Sequence, residues 1–488
     1  MNSLLTSLPQ PVAPIDLGSP RRLHVVGVGG PGMSAIALAL AQMGHQVSGV
    51  DIRDRQVLER LRAAGVAVAI GHSREHVVGC DAVTYSSAVP ADLNELDEAR
   101  RLGIPVLRRA GMLASICAQA DALGVAGSHG KTTTASMLML ILAEAGLRPG
   151  FVIGGDVTDV GTGAMWTGGD HHGNNWFVVE ADESDGTHLE LPLHGTVLTN
   201  VDHDHVDPTF IAAGYGTLEA IERSFDRYLA QIPGPKVVCA DDPRAARLAA
   251  RHDPATTVTY GLADGARYRA VDVTPGHGTF SFRVERDGVH LVDVDLPLRG
   301  VHNVTNATGA LALAVELGVA PAVAAAALAK FGGVARRFDI RGTDGGATFV
   351  DDYAHLPAEI DAVLRAARDS GDDWKRVIAV FQPNRYNRMA EMWREYADAF
   401  TAADLIVLTD IYPSGTQPIP GVTGRLVVQA VLAAHPTAHV VWLPRRDELV
   451  AYLARTVRAG DVCISMGCGD IATLPDEVLA ARRGNGRS

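Results

Sequence analysis

At 488 residues the chain is too long for one hydrophobic core, because cores stop growing near about 250 to 300 residues, so two to four domains are expected. Its 47% hydrophobic and 20% charged residues are those of a globular enzyme and exclude a fibrous or disordered chain. A formal net charge of -13 excludes general nucleic-acid binding. No apolar stretch reaches the ~20 residues of a membrane span, and the opening MNSLLTSLPQPVAPIDLG lacks the basic segment and apolar core of a secretory signal. Five scattered cysteines without a CxxC pair fit reduced thiols in a cytoplasm, with neither zinc nor disulfides indicated.

From residue 23 to about 110, β-rich runs (LHVVGV, HQVSGVD, AVTYSSAV, IPVL) alternate with helical patterns, the rhythm of βαβ units. Gly27, Gly29 and Gly32 follow the first run in GxGxxG spacing, with Asp51 ending the next. Such a loop lets backbone N–H groups meet a diphosphate at a helix N-terminus. NAD is its default ligand, and a tight βα turn with no ligand is the plain alternative.

GSHGKTTT (127–134) lies between the strand ALGVA and the helical TASMLMLILAEAG, the context of a phosphate-binding loop. Its amides would cradle ATP phosphates, with Lys131 on the β/γ-phosphates and the Thr132 hydroxyl on Mg²⁺. Val125 stands where the common GxxxxGK[ST] form has its first glycine. EADESD (180–185) and TNVDHDHVD (199–207) end the next strands. Carboxylates crowded at strand ends repel one another unless a cation is present. Glu180 and His205 therefore read as ligands of two Mg²⁺ ions, against a solvated acidic loop. YRAVDVTP, GTFSFRV and HLVDVDLPL then alternate in polarity like antiparallel hairpins.

HNVTN (302–306) places Asn303 and Asn306 one helical turn apart, where an amide can address a purine edge or simply cap a helix. ARRFD (335–339) and DDYAH (351–355) add arginines and carboxylates suited to phosphate, or to surface ion pairs. A third α/β set follows, with strands ATFVDDY, RVIAVFQP, DLIVLTDIY, HVVWLP and DVCISMG. Arg385 and Arg388 in FQPNRYNR have the spacing of a carboxylate clamp, or of an exposed helix start.

In this order, from about 22 to 472, these strings resemble the Mur ligases, whose shortened ATP loop lacks the first glycine. GVGGPGMSAIA, DDYAH, FQPNRYNR and PIPG are similar to the alanine-adding members. The resemblance implies three α/β domains: a Rossmann-like one at 1–120 for the UDP substrate, a central P-loop ATPase at 121–337 with a parallel sheet plus a small antiparallel one, and a Rossmann-like one at 338–488 for the amino acid. It places Gly29, Gly30, Gly32, Met33 and Ser34 around the UDP diphosphate, with Asp51, Ser86 and Ser87 nearby. Gly127, Ser128, His129, Gly130, Lys131, Thr132 and Thr133 then hold ATP, helped by Asn303 and by Asn306 at adenine, Arg337 at the γ-phosphate and Asp352 at the ribose. Thr132, Glu180 and His205 become the metal set. Tyr353, His355, Arg385 and Arg388 become the amino-acid site, with Lys131, Glu180, His205, Arg337 and His355 carrying catalysis.

The implied reaction joins L-alanine to the lactyl carboxylate of UDP-N-acetylmuramate at the expense of ATP, in a cytoplasmic monomer or homodimer whose domains close over the substrates. A tripeptide-accepting recycling ligase and an NAD-dependent dehydrogenase are the alternatives. Leu356 and Asn384 replace histidines usual in the family, Thr416 and Cys468 replace commoner residues, and GTHLEL alters the stretch around Thr187 and His188.

Overall fold

The computed structural model describes residues 14–86, 89–90, 92–168, 175–202 and 216–485. Three sheets follow one another along the chain, each flanked by helices, which is the α/β class expected. The first comprises β1 (Arg22–Val26), β2 (Gln46–Asp51), β3 (Ala67–Ile70), β4 (Ala82–Tyr85) and β5 (Val106–Arg108). Its order is β3-β2-β1-β4-β5 and all neighbours are parallel. The order reverses at β1, and ligands of open parallel sheets bind at the carboxyl ends of strands beside such a reversal. The loop Gly27–Gly32 leaves β1 at that place.

The second sheet has ten strands: β6 (Asp121–Ala126), β7 (Gly150–Val157), β8 (Thr162–Met165), β9 (Trp176–Ala181), β10 (Gly195–Leu198), β11 (Lys236–Cys239), β12 (Thr257–Gly261), β13 (Tyr268–Gly276), β14 (Thr279–Arg286) and β15 (Val289–Leu296). Its order is β15-β14-β13-β12-β11-β10-β6-β9-β7-β8. β6 lies parallel to both β10 and β9, so the loop after it also opens at a reversal of strand order. The antiparallel strands expected as a small separate sheet join this one instead. Tyr268 and Arg269 of β13 pair with Tyr260 and Gly261 of β12, which gives the edge of the parallel part its hydrogen-bond partner.

The third sheet contains β16 (Asp339–Asp344), β17 (Ala347–Asp352), β18 (Arg376–Phe381), β19 (Leu405–Leu408), β20 (Val440–Trp442) and β21 (Asp461–Met466), in the order β16-β17-β21-β18-β19-β20. All of its pairs are parallel except β16 with β17. Central strands such as LIVL and DVCISM are buried at every residue. Parallel sheets covered by helices on both faces require such continuous apolar runs.

Packing divides the chain into two compact units. One contains the first sheet and most of the second, through residue 272, with 282–296 and 305–332. The other contains 273–281, 297–304 and everything from 333 on. A single core runs through the first unit, from Leu23, Ile36 and Leu40 under the first sheet to Phe177, Phe225 and Tyr228 under the second. The second unit packs Ile360, Phe381, Tyr396 and Phe400 on one face of its sheet and Phe349, Ile378, Leu449 and Leu453 on the other. None of the five cysteines is paired, and no helix among the described residues is long and apolar enough to cross a membrane.

Candidate active site

The loop after β1 is shaped by backbone conformation and one carboxylate. Gly27 has φ +77°, a left-handed value that side chains rarely adopt, and its N–H donates to Val50 O. Gly29 N donates to Asp51 Oδ2 at 2.9 Å, and a Cβ on Gly29 would lie 2.7 Å from that oxygen. Arg53 N donates to the other Asp51 oxygen at 3.1 Å. Asp51 therefore holds the loop closed, a different task from binding the ribose of a dinucleotide. The helix Pro31–Gln42 begins at Gly30 with proline in its first turn and no side chain capping its N–H groups, an arrangement suited to an anion. The Met33 side chain is buried in the core, so a ligand there meets backbone only. Ser34 Oγ donates to Pro31 O at 2.9 Å. Ser86 N donates to Val26 O, placing Ser86 at the carboxyl end of the neighbouring strand, whereas Ser87 lies outside the described residues.

The loop after β6 is more heavily braced. Gly127 has φ +125° and Gly130 φ +81°, and Gly130 opens the buried helix Lys131–Glu144. Asn200, following β10, accepts from His129 N at 2.8 Å and donates to His129 O at 3.1 Å. Thr199 Oγ1 donates to the same carbonyl at 2.6 Å, and Ser128 Oγ accepts from Asp202 N at 2.8 Å. Thr132 and Thr133 are buried at the helix start. Asn306 lies against Gly130, where an added Cβ would come 2.6 Å from Asn306 Oδ1. Asn303, which belongs to the other unit, donates its amide to Arg299 O at 2.7 Å.

Lys131 Nζ donates to Gly127 O at 2.6 Å and pairs with Glu183 Oε2 at 2.8 Å. Burial alone would lower its pKa, but Glu183, Asp182 and Glu180 raise it and hold the ammonium charged. Glu180, the next-to-last residue of β9, is in register with Val125 of β6, and its Oε1 accepts from Gly154 N at 2.6 Å. Thr132 and Glu180 supply hard oxygen donors beside this phosphate loop, a set that fits Mg²⁺. His205 lies outside the described residues.

Two members of this site escaped the sequence reading. Glu183 stands inside EADESD but carries no mark that separates it from its neighbours. Arg109 belongs to no motif, yet its Nη2 reaches Asp182 Oδ2 at 3.0 Å and Asp185 Oδ2 at 2.8 Å. Its Nη1 also lies 3.3 Å from where a Cβ on Gly32 would stand. One guanidinium thus touches both the acidic loop and the glycine loop. Burial would raise the Asp182 carboxyl, but Arg109 and Lys131 hold it well below the usual carboxylate range. Thr187 and His188 are fully buried: Thr187 Oγ1 donates to Asp185 Oδ1 at 2.6 Å, while His188 sits among Ser224, Phe225 and Tyr228.

In the second unit, Arg337, Asp352, Tyr353, His355, Arg385 and Arg388 come together. Arg336 and Phe338, on either side of Arg337, have φ of +64° and +48°, and Arg385 has φ +61°. Such strain in residues with side chains costs on the order of 1 to 3 kcal/mol each and clusters where geometry is used. The Arg337 guanidinium stands 5.4 Å from the centre of the Tyr353 ring. Both oxygens of buried Asp352 accept backbone N–H groups, from Phe338 and Ala354, each at 2.7 Å. His355 Nδ1 lies 3.1 Å from Tyr353 O and 3.2 Å from Glu359 Oε2. Burial and the like charge of Arg385 lower the Arg388 pKa, and Arg388 Nη1 donates to Asn384 Oδ1 at 2.8 Å. The departures have local explanations: Asn384 anchors Arg388, Thr416 Oγ1 accepts from Tyr386 N at 2.9 Å, and Leu356 is buried. Cys468 lies within the field of Arg388, Arg385 and Arg336, its pKa raised by burial.

Three family models match consecutive parts of the chain: the Mur ligase family catalytic domain at 22–121, the Mur ligase middle domain at 125–314 and the Mur ligase glutamate ligase domain at 336–469. A UDP-N-acetylmuramate–L-alanine ligase of Bradyrhizobium is 39% identical over 97% of this chain and 99% of its own. One from Rubrobacter xylanophilus is 41% identical over 94% and 99%. Among solved structures, the UDP-N-acetylmuramate–alanine ligase of Thermotoga maritima superposes with a TM-score of 0.79 at 26% identity, covering 95% of this chain and all of that one. A murein peptide ligase from Psychrobacter arcticus shares the fold with a TM-score of 0.67 at 24% identity, over 95% and 98%. Two glycine loops at reversals of strand order, a lysine among carboxylates, and near full-length likeness agree: the chain belongs to the Mur ligase family.

Proposed function

We propose that the chain joins L-alanine to the lactyl carboxylate of UDP-N-acetylmuramate, giving UDP-N-acetylmuramoyl-L-alanine, ADP and phosphate, in the cytoplasmic synthesis of peptidoglycan precursors. The carrying observation is the 39–41% identity, over nearly the whole length, to enzymes bearing that name. The domains we assign to this work are 1–120 for the UDP substrate, 121–337 for ATP and 338–488 for the amino acid.

A carboxylate is a poor electrophile until one of its oxygens can leave. The lactyl carboxylate attacks the γ-phosphorus of ATP, the bond to the β-phosphate oxygen breaks, and an acyl phosphate and ADP result. Gly127, Ser128, His129, Gly130 and Thr133 cradle the phosphates through the loop, Lys131 and Arg337 face their charge, and Asn303, Asn306 and Asp352 address the nucleoside. Thr132 and Glu180 would hold one Mg²⁺ and His205 a second, and the ions when bound would supply further neutralisation of phosphate charge. Gly29, Gly30, Gly32, Met33 and Ser34 take the UDP diphosphate through N–H groups, with Ser86 and Ser87 beside them and Asp51 fixing the loop.

Arg385 and Arg388 hold the carboxylate of L-alanine, and its neutral amine attacks the acyl carbonyl. The C–N bond forms, phosphate departs, and the amine gives up a proton. His355 receives it. With hydrogen on Nδ1, facing Tyr353 O and Glu359, Nε2 is the basic nitrogen. Tyr353 packs edge-on against the His355 ring with centroids 5.4 Å apart, fixing its orientation.

The test is phosphate release from ATP, Mg²⁺ and UDP-N-acetylmuramate with each amino acid, or the cell-wall tripeptide, added in turn. Release that depends on L-alanine, with a product heavier by one residue, is expected. Release only with tripeptide would move the assignment to the recycling ligases, and none with any acceptor would remove the ligase reading.

A further inference from the structure

Away from both glycine loops, the first sheet contains a polar cluster that the ligase chemistry does not use. Val26 of β1 packs in a small apolar core with Val50, Val77, Val83 and Leu96, and His24 lies two residues before it on the same strand. Glu95, on the helix Asn94–Arg101, is fully buried beside that core. An isolated buried carboxylate is costly, and here three imidazoles surround it. His24 Nε2 is 3.3 Å from Glu95 Oε1, His76 Nδ1 is 2.7 Å from the same oxygen, and His72 Nδ1 is 2.7 Å from Oε2. His24 is 1% exposed, and its Nε2 makes no well-formed hydrogen bond although it points at the carboxylate. Two lone pairs at that distance repel, so either a proton on Nε2 or a metal ion lies between that nitrogen and the carboxylate oxygen.

We propose that His24, His76 and Glu95 form a binding site for a divalent transition-metal ion of the zinc class. One donor atom from each lies within 4.8 Å of the other two. Tetrahedral zinc, with bonds of about 2.0 to 2.2 Å, needs donors roughly 3.4 Å apart, so small side-chain rotations suffice. The surrounding groups match those of a metal site. His24 Nδ1 lies 2.8 Å from Ser48 Oγ, which fixes the ring's direction, and His72 holds the second oxygen of Glu95. A recess of about 290 Å³, lined by His24, His76, Ser48 and Ala67–Ala69, gives entry and room for a fourth ligand. His72 and His76 are about a quarter exposed, so an ion can arrive from solvent. The ion would tie β1, the short turn Arg74–Val77 and the helix Asn94–Arg101 into one clamp.

The experiment uses the untagged full chain and a His76→Asn variant, each stripped with EDTA, equilibrated with zinc chloride at neutral pH and desalted before elemental analysis. About one more zinc per chain in the parent than in the variant is expected, together with a zinc-dependent rise of a few degrees in the parent's unfolding temperature that the variant lacks. Zinc held elsewhere, at the Mg²⁺ ligands for instance, remains in both. Equal zinc content in the two proteins, or none in the parent, would overturn the site. His24 and His72 still partner Glu95 when His76 is replaced, so its loss should not prevent folding; were the variant to unfold, Co²⁺ added to the parent must produce the visible absorption of a four-coordinate site with nitrogen ligands, and its absence would overturn the proposal as well.

Discussion

The loops after β1 and after β6 are built from the same parts, a buried parallel strand, glycines at positive φ and a helix start, yet they are held in different ways. The first is closed by a single carboxylate, Asp51, and presents an uncapped helix start with Arg109 beside Gly32. The second is gripped by Thr199, Asn200 and Asp202, and carries a lysine balanced by Glu183. The contrast teaches that glycine spacing specifies a loop that can meet an anion, while the groups closing over that loop determine what it does with the anion. In the proposed reaction the first loop would anchor a diphosphate that does not react, and the second, with its lysine, would serve a phosphoryl group that changes hands.

The largest expected effect separates the two directly. Lys131→Ala should lower alanine-dependent phosphate release by at least ~10³-fold, the scale of losing a charge that stabilises a transferring phosphoryl group, while UDP-N-acetylmuramate still protects the protein from thermal unfolding. Loss of protection as well would show that the loops do not divide the labour. Gly127→Ala comes next: the new Cβ would fall on Thr199 Oγ1 at a φ that disfavours side chains. It should cost about 2 to 4 kcal/mol by denaturant unfolding, whereas Gly30→Ala, whose nearest neighbour is 3.4 Å away, should cost under ~1 kcal/mol. Similar losses at both positions would erase the distinction between a braced loop and an open one.

Protonation probes what lies beneath the second loop. Burial lowers the His188 pKa from 6.5 to about 3, so the folded state binds fewer protons than the unfolded one. Its contribution to stability is complete above pH 6.5 and is lost as pH falls toward 3. His302, lowered by burial and Arg337 to about 4, acts with the same sign in the second unit. Unfolding free energy should therefore decline by a few kcal/mol between about pH 6.5 and 4, and His188→Phe should flatten that slope; an unchanged slope would show that His188 does not contribute. The smallest effect is expected at Asp51→Asn, which weakens two hydrogen bonds from backbone amides. Affinity for the UDP substrate should drop about 5- to 20-fold, with the KM for ATP unmoved.

Much of this was legible in the sequence because both loops and the buried strands are local patterns: glycine before a helix, continuous Val, Ile and Leu, a lysine within GSHGKTTT. The parts that were not legible lack such a signal. β16 reads DIRGTD, with no apolar alternation, and is a strand only because β17 offers it an edge. Arg109 meets acidic partners more than seventy positions further along the chain. Met33 sits in a motif string but points into the core. His24, His72, His76 and Glu95 come together through sheet pairing and helix packing, with no cysteine among them to mark the place in the sequence.

The continuous core of the first unit has a practical corollary. The first two family segments meet between residues 121 and 125, which invites treating them as interchangeable modules. Leu40, Met112 and Ile116 on one side of that junction share their packing cluster with Phe177, Phe225 and Leu229 on the other. Severing the chain there would leave each fragment with a raw apolar face, and transplanting one half from a relative would require its contact surface to be moved with it. In this molecule the seam visible in the sequence is not a seam in the packing.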